Sequence, residues 1–358
     1  MGFDHCHVSG WAHASVVSIA PARIDTAKRP GALCPMFLPM ADNLWGAFTG
    51  KVFNRSTKDR GIGVAIFAGV GKPVCMNGIP VLHVEADCIA RAWELSLIEL
   101  NRHGCCIKTE YDKPDDPPSK DATMIITITD PLSEPMIHKD FPGGPIELQE
   151  YVMEVCEGIK DHLVRDPADP NDTRWEYTYH QRLFAYSVPT LAPINQIETL
   201  CQRLARAPHT RRAQAITWKV WEDTECYDPA CLQSVWCRII EENGQPVLSM
   251  NVRFRSNDAY KAAFMNIFAL VQLQQRIAAR VSELIGRPVQ IGRYCHMADS
   301  YHIYGSYFRE FEGRFLGALE KRTFEQRTMR YDAVRDMMEE ARPMLLEKAR
   351  SLGSGQQI

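Results

Sequence analysis

Four short polar stretches in the second half of the chain contain residue types that can do chemistry on an anionic ligand. Each lies beside an apolar segment typical of a strand, and together they cover residues 210–212, 228–233, 255–266 and 299–304. Taken singly, each has a structural explanation, since paired arginines are usually solvated and a cysteine that opens a strand is usually a small core residue. Taken together, they supply one thiol, three arginines and several groups that donate or accept hydrogen bonds.

The combined set suits covalent chemistry on a phosphorylated heterocycle. Arginine forks bind a dianionic phosphate in a bidentate way. A thiol close to arginines has a lowered pKa and is a competent nucleophile. An asparagine amide both donates and accepts, so it can bind the edge of a pyrimidine. A histidine and a tyrosine two positions apart share one face of a strand and can hold a sugar hydroxyl.

The order and spacing of these residues resemble the thymidylate synthase superfamily. Arg211 and Arg212 are followed by Cys231, twenty positions after Arg211, and then by the sequence R-S-x-D at 255–258. An asparagine follows eight positions after that aspartate, and an H-x-Y strand comes later. The resemblance covers 86–312 and is strongest over 177–304. It is closer to the short archaeal-type synthases and to the pyrimidine hydroxymethylases than to the common bacterial enzyme.

The resemblance implies a nucleophile and a phosphate site shared between two subunits. Cys231 would add through its sulfur to C6 of a pyrimidine nucleotide. Arg255 would bind the 5′-phosphate in the same subunit, whereas Arg211 and Arg212 would reach the partner's phosphate across a two-fold axis. A homodimer would therefore be required for activity.

The remaining nucleotide and folate contacts are also implied by the resemblance. Ser256 would add a phosphate or backbone contact, and Asn266 would bind O4 and N3 of the base. His302 and Tyr304 would bind the 3′-hydroxyl. Asp258 would lie near the ring of a reduced folate, which is 5,10-methylenetetrahydrofolate in this family.

Three further positions are less fixed by the motif. Gln233 lies two positions after the nucleophile, on the same face of its strand. Tyr179 stands where the family places a tyrosine close to the catalytic cysteine. The family also needs a glutamate on an early helix for proton transfer; Glu150 is our candidate, with Glu147 and Glu154 as alternatives.

The pattern of apolar residues predicts an α+β fold without regular βαβ alternation. The resemblance implies a large mixed sheet with packed helices that dimerises through the sheet. The predicted helices lie at 89–103, 145–163, 194–204, 259–285 and 311–352, with a break at Pro343. The predicted strands lie at 62–72, 124–129, 213–220, 232–240, 247–254, 288–291 and 294–303. We divide the chain into an N-terminal extension (1–85), a catalytic domain (86–312) and a charged helical extension (313–358), with both extensions on the outside.

Composition excludes several other classes of protein. The 358 residues carry a net charge of −3, which does not favour a nucleic-acid binder. The sequence has neither an apolar run of membrane-spanning length nor a recognisable export signal, so we expect no membrane partner. Twelve cysteines without a CxxC pair favour the cytoplasm. The histidines at 5, 7 and 13 lack zinc-type spacing, and we expect no metal.

Some features depart from the family pattern. Leu232 replaces the histidine that commonly follows the cysteine. The D-R-G-I-G stretch at 59–63 resembles the family's phosphate-binding loop, but it lies before the helix at 89–103, whereas the family's loop comes after that helix. The short apolar segment that closes the family's active site is not visible at the C-terminus. The first expectation is synthesis of dTMP from dUMP, since Asn266 favours uracil. The second, which the missing segment and the extensions favour, is a pyrimidine nucleotide hydroxymethylase that uses water, and the third is a non-catalytic nucleotide binder.

Overall fold

The structure is a computed structural model, and it describes residues 78–166, 169 and 171–352. Most of the predicted N-terminal extension, including the strand at 62–72, lies outside the described residues. Residues 81–85, which the division by sequence gave to that extension, belong to the first strand of the main sheet.

Within the described residues, seven strands form one mixed sheet, which confirms the predicted fold class. The strands are β1 (Val81–Ala86), β2 (Cys105–Ile107), β3 (Ser119–Ile128), β5 (Gln214–Ile216), β6 (Leu232–Glu242), β7 (Gln245–Asp258) and β8 (Gln290–Ile303). Their spatial order is β1-β3-β8-β7-β6-β5, and β2 pairs with β3. A second, two-stranded sheet joins β4 (Ile137–His138) to β9 (Thr328–Met329).

Strand direction brings three of the four polar stretches to one edge of the main sheet. β7 and β8 are parallel, and Asp258 pairs with His302 near their carboxyl ends. β6 runs antiparallel to β7 and begins opposite Phe254. The first residues of β6 therefore lie beside the last residues of β7 and β8. We call the edge formed by residues 231–233, 255–258 and 300–304 the site edge.

Local sequence explains the longest hairpin. β6 and β7 are joined by Asn243 and Gly244, whose φ angles are 51° and 75°. A two-residue turn with both φ angles positive matches the right-handed twist of the paired strands, and an asparagine followed by glycine is its preferred sequence. The predicted turn is therefore confirmed, and it sets the register from Glu242 back to Ser234. A one-residue shift between Ser234 and Leu232 then places Leu232 opposite Phe254, next to Cys231.

Helices cover one face of the sheet. They are α1 (Ile89–His103), α2 (Pro145–Glu157), α3 (Tyr179–Phe184), α4 (Gln196–Arg206), α5 (Val220–Asp223) and α6 (Ala263–Ile285). α6 is the central helix, with side chains buried along almost its full length, and it ends at Gly286 with a φ of 69°. It begins later than predicted because the N–H of Ala259 donates to the carbonyl of His302, which continues the strand pairing.

Two other predicted elements are shorter than expected. The helix expected over 145–163 ends at Glu157, because Gly158 takes a left-handed conformation with a φ of 68°. The strand expected over 213–220 is limited to β5. It stops where the N–H of Lys219 donates to the carboxylate of Asp223, which begins α5 instead.

The C-terminal segment is packed into the domain, contrary to the expectation that it lies outside. It consists of short pieces, namely α7 (Phe308–Glu310), a π-helical turn (Phe311–Leu316), α8 (Gly317–Lys321), α9 (Phe324–Arg327), α10 (Arg335–Glu340) and α11 (Arg342–Leu352). Phe315 and Met338 are fully buried. The guanidinium of Arg327 pairs with the buried carboxylate of Glu94 on α1, with its Nε 2.7 Å from Oε2. The continuous helix predicted from the charge pattern is wrong, because these apolar and ionic contacts hold each piece against the core.

Candidate active site

Cys231 is the potential nucleophile at the site edge. It is half-buried in the loop before β6, and its N–H donates to the hydroxyl of Tyr177 at 3.3 Å. Burial raises the pKa of its thiol above the usual value, and the nearby positive charge of Arg255 opposes that rise. The cysteine of the unliganded protein is therefore mainly protonated at neutral pH, with a guanidinium beside it to stabilise a thiolate.

Arg255 holds the loop that carries the cysteine. Its Nη2 donates to the carbonyl of Pro229 at 2.5 Å, and its Nε donates to the carbonyl of Ala230 at 3.2 Å. Its own backbone N–H donates to the carbonyl of Cys231 at 2.9 Å. Gln233 contacts the same loop, since its amide donates to the carbonyl of Ala230 at 2.7 Å. The predicted phosphate ligand therefore also positions the predicted nucleophile.

Two tyrosines form a wall against this loop. The hydroxyl of Tyr179 accepts a hydrogen bond from the N–H of Leu232 at 3.4 Å, and the ring of Tyr177 lies 5.6 Å from that of Tyr179. Beside this wall is a cleft of about 480 Å³ lined by Tyr151, Glu154, Arg174, Trp175, Glu176, Tyr177, Thr178, Tyr179 and Asp228. Both tyrosines are largely buried, and burial raises their pKa values, so they are hydrogen-bonding phenols at neutral pH.

Asn266 lies in the first turn of α6 and is buried. Its side-chain carbonyl accepts a short hydrogen bond from the hydroxyl of Tyr151 on α2. That contact orients the amide, because the carbonyl oxygen faces Tyr151 and the amide nitrogen faces away from it. α2 and α6 therefore share a polar contact next to the cleft that Tyr151 lines.

Asp258 ends β7 with a largely buried carboxyl group. One of its oxygens accepts from the N–H of Tyr260 at 3.0 Å and from that of Lys261 at 2.8 Å. Burial raises the pKa of this carboxyl to about 6, although both backbone donors stabilise the charged form. Ser256 is half-exposed and lies opposite Ser300 in the register of β7 and β8.

His302 and Tyr304 lie together at the end of β8. Their rings are 4.6 Å apart in an edge-to-face arrangement. Nδ1 of His302 lies 3.2 Å from the hydroxyl of Ser300, whereas Nε2 is buried without a hydrogen-bond partner among the described residues. Burial lowers the pKa of His302 to about 4, so its ring is neutral at physiological pH.

The three candidate glutamates of α2 have different partners. Glu147 accepts from the N–H of Gly144 at the start of the helix, at 3.0 Å. Glu150 is held by Lys348 at 2.6 Å and by Lys160 at 2.9 Å. Its burial opposes ionisation, but the two ammonium groups outweigh that effect and lower its pKa.

Glu154 has the contacts that suit a role at the cleft. It lines the cleft with Tyr151, Tyr177 and Tyr179, and it pairs with Lys160 at 3.0 Å. Burial raises the pKa of its carboxyl despite that ion pair. A rise in the carboxyl pKa is in the direction that a proton-transfer role requires.

The arginine pair lies apart from the site edge of its own subunit. Arg211 and Arg212 are exposed in the segment before β5, where the carbonyl of Arg211 accepts from the indole N–H of Trp236 at 3.2 Å. Trp236 lies on β6, along which buried positions alternate with half-exposed ones. The pair therefore borders the sheet face that the helices leave uncovered.

The structure also adds residues that the sequence did not single out. Tyr177 touches the backbone of Cys231 itself, one residue nearer than the contact made by Tyr179. Asn257 is buried, and its carbonyl oxygen lies 2.9 Å from Nε2 of the fully buried His296. Tyr177 lies two positions before Tyr179, and no local feature of the sequence marks it as the residue that contacts Cys231. No sequence signal links Asn257 to a residue 39 positions later.

No group of three or more histidine, cysteine, aspartate or glutamate side chains in the described part of the chain is arranged to hold a metal ion. None of the helices that the structure describes is long and apolar enough to cross a membrane.

The family to which the chain belongs follows from its similarity to known proteins. The family model for thymidylate synthase matches residues 100–342. The chain therefore belongs to the thymidylate synthase family, whose members bind a nucleotide and use methylenetetrahydrofolate as a cosubstrate, and the resemblance seen in the sequence is confirmed.

Similar proteins come from archaea and from a bacterium. A protein of Methanocaldococcus jannaschii named "Putative thymidylate synthase" is 31% identical over 229 residues, which cover 63% of this chain and 91% of that protein. A protein of Methanopyrus kandleri with the same name is 27% identical, over 59% of this chain and 87% of its own length. Among solved structures, thermostable thymidylate synthase A from Bacillus subtilis matches with a TM-score of 0.47 and 15% identity, over 64% of this chain and 84% of its own.

Proposed function

We propose that this protein converts dUMP to dTMP with 5,10-methylenetetrahydrofolate, and that Cys231 is the nucleophile. The observation that carries the proposal is the position of Cys231: a half-buried thiol at the site edge, held by Arg255 and flanked by an aromatic cleft. Membership of the thymidylate synthase family supports one-carbon transfer to a nucleotide.

The proposed reaction begins with a bond between the sulfur of Cys231 and C6 of the uracil. Addition moves the electron pair of the C5–C6 double bond to C5, which then attacks a one-carbon unit. C5 next loses its proton to a base, and the bond between the one-carbon unit and its carrier nitrogen breaks as a double bond forms between C5 and the methylene carbon. A hydride then adds to that methylene carbon, the C5–C6 double bond re-forms, and the bond between sulfur and C6 breaks to release the product and the Cys231 thiolate. The folate, when bound, supplies both the one-carbon unit and the hydride, and is left as dihydrofolate.

The residues at the site edge fit both ligands. The guanidinium of Arg255 can take a phosphate oxygen and, through its charge, lower the pKa of the Cys231 thiol when the nucleotide displaces water. The amide of Asn266, oriented by Tyr151, can bind the edge of the base. The carboxyl group of Asp258, a half-buried residue, can accept hydrogen bonds from a ring that carries N–H donors. The aromatic cleft, which other residues line, suits a flat ring. Because the mechanism needs a free thiol, we propose the cytoplasm as its place of action.

A homodimer through the uncovered sheet face is part of this proposal. Half-exposed or exposed polar side chains project from that face, including Arg238, Arg253 and Arg293. The position of Arg211 and Arg212 beside this face supports their proposed role, since they would meet the phosphate bound by a second copy of the chain. A two-fold axis makes the two sites equivalent.

The substitution Glu154→Gln is predicted to lower kcat by about 100-fold, because loss of a general acid or base typically costs 10²–10⁴-fold. Glu150→Gln is the matched control on the same helix. It removes the ion pairs with Lys160 and Lys348, so it should mainly lower the free energy of unfolding, by about 1–3 kcal/mol. Steady-state kinetics and urea unfolding of both variants measure these effects. A larger loss of kcat in Glu150→Gln than in Glu154→Gln would return the assignment to Glu150.

Folate binding is predicted to weaken in mild acid. If the ionised carboxylate of Asp258 binds the folate ring, its pKa of about 6 implies that KM for methylenetetrahydrofolate rises about tenfold between pH 7 and pH 5. A raised pKa in the folded state makes this group favour folding more as pH falls through 6, so its protonation cannot unfold the protein. Asp258→Asn should remove the pH dependence of KM. A wild-type KM that is flat over this range would contradict the role of Asp258.

One assay tests the reaction and separates it from its alternatives. The protein is incubated with C5-tritiated dUMP and methylenetetrahydrofolate, and both tritium release and dihydrofolate absorbance are followed. Both signals together support the synthase. Tritium release without dihydrofolate would replace it with a hydroxymethylase, because water rather than hydride then completes the product. Absence of both signals would refute the proposal.

A further inference from the structure

Three side chains in mutual contact, those of Asp121, Ser300 and His302, join β3 to β8 at the site edge. We call these three residues the relay. Asp121 on β3 is buried, and its Oδ2 lies 2.6 Å from the hydroxyl oxygen of Ser300. The same hydroxyl oxygen lies 3.2 Å from Nδ1 of His302. The strand register supports this contact, since Asp121 pairs with His302 across the two strands.

The number of protons shared by Asp121, Ser300 and the neutral ring of His302 determines which atoms carry them. Burial raises the pKa of the Asp121 carboxyl, and the hydrogen bond from Ser300 opposes that rise. Oδ2 of Asp121 accepts from the hydroxyl of Ser300 at 2.6 Å, so the single hydroxyl proton of Ser300 goes to Asp121. The oxygen of Ser300 can then only accept from the imidazole, which places the proton of the neutral ring on Nδ1. Nε2 is left with a bare lone pair, and this atom is buried without a partner in the described part of the chain.

We propose that Asp121 and Ser300 are positioning residues that hold His302 as a hydrogen-bond acceptor, so that the site selects nucleotides whose 3′ position carries a hydrogen-bond donor. This inference rests on the proposed function for the identity of the ligand. A 3′-hydroxyl satisfies the buried Nε2, whereas a 3′-fluorine, a 3′-ether or a 3′-phosphodianion leaves it unpaired. A buried acceptor without a partner costs about 1–3 kcal/mol, which is enough to discriminate about tenfold or more between such ligands.

The tautomer can be measured without any assay of activity. Nitrogen-15 NMR of the uniformly labelled full-length protein at pH 7.5 distinguishes a protonated ring nitrogen from a bare one, and His302→Gln identifies the signal. We expect a proton on Nδ1 and a bare Nε2 in the wild type and in Ser300→Thr, which keeps the hydroxyl. We expect Ser300→Ala to lose this preference.

The matched control removes a different hydroxyl from the same pair of strands. Thr123 donates to the carbonyl of Asp299 at 2.8 Å, and Thr123→Val should leave the tautomer of His302 unchanged. A proton on Nε2 in the wild type would overturn the inference. So would an unchanged tautomer in Ser300→Ala, provided that its circular dichroism matches the wild type.

Binding measurements test the selectivity. By calorimetry, the wild type should bind dUMP at least about tenfold more tightly than the 3′-fluoro or 3′-O-methyl analogue. Ser300→Ala should weaken dUMP binding about tenfold and change binding of the analogues less than about twofold. Equal affinity of the wild type for dUMP and the analogues would overturn the selectivity. The NMR result depends only on the contacts within the relay of Asp121, Ser300 and His302, whereas tritium release depends only on the proposed function. Failure of this inference and failure of the proposed function can therefore be told apart.

Discussion

Replacement of Cys231 by alanine is expected to abolish tritium release from C5-tritiated dUMP, with a fall of about 10⁴-fold or more. The loss is this large because without the sulfur–C6 bond the C5 carbon of uracil is not nucleophilic, and no neighbouring group can take over the addition. Nucleotide binding should persist, since Arg255 does not depend on the thiol for its contacts with the loop. Tritium release and equilibrium binding of dUMP, measured on the same preparation, check both parts.

Cys226→Ala is the matched control for this variant. Cys226 is a half-exposed free thiol five positions earlier in the chain and outside the motif. Its thiol contacts Glu176 and the backbone of Asp228 at the lining of the cleft. Cys231, in contrast, is the thiol on which the positive charge of Arg255 acts. Cys226→Ala should therefore keep tritium release within about twofold of the wild type. Retained release in Cys231→Ala, or loss of release in Cys226→Ala alone, would refute the proposed nucleophile.

Mixing Arg211→Ala with Cys231→Ala is expected to restore activity at a dUMP concentration well below the KM of Arg211→Ala, where neither variant alone turns over substrate. Arg211→Ala damages the partner's phosphate site, and Cys231→Ala damages its own site. In a mixed dimer, one active site is complete, because it has Cys231 from one subunit and Arg211 from the other. Random mixing makes about half of the dimers mixed, each with one complete site, so about a quarter of wild-type activity should return.

The complementation experiment has an arginine control and a clear contrary result. Arg203 is exposed on α4, and Arg203→Ala should retain full activity without mixing. Arg211→Ala alone should raise KM for dUMP much more than it lowers kcat, because it removes a phosphate contact. Variants that exchange subunits but recover no activity would contradict the shared phosphate site and the dimer that it requires.

The sequence predicted those helices and turns whose formation depends on residues close together along the chain. The apolar stripe of Ile89, Trp93, Leu97 and Leu100 predicted a helix that ends before Gly104, and α1 has the predicted bounds. The turn at Asn243 and Gly244 was likewise predictable from its residues. The site motif was recognisable because its residues occupy the ends of consecutive strands, where spacing along the chain reflects the register.

Contacts between distant segments were not predictable. The charged residues after Phe311 suggested a solvated helix, yet Arg327 is buried because Glu94, 233 positions earlier, neutralises it. Glu150 was the preferred glutamate by position, but its ion pair with Lys348 depends on the packing of α11 against α2. Asp121 had no local signal at all, because its partner Ser300 is 179 positions away.

The most direct test of the central claim is a trapped covalent adduct. 5-Fluoro-dUMP carries fluorine where the C5 proton must leave, so the reaction stops with the sulfur–C6 bond intact. Mass spectrometry of the protein after incubation with this nucleotide and methylenetetrahydrofolate should find the combined mass of both ligands on the peptide that contains Cys231. An unmodified Cys231, or an adduct on a different thiol, would contradict the account.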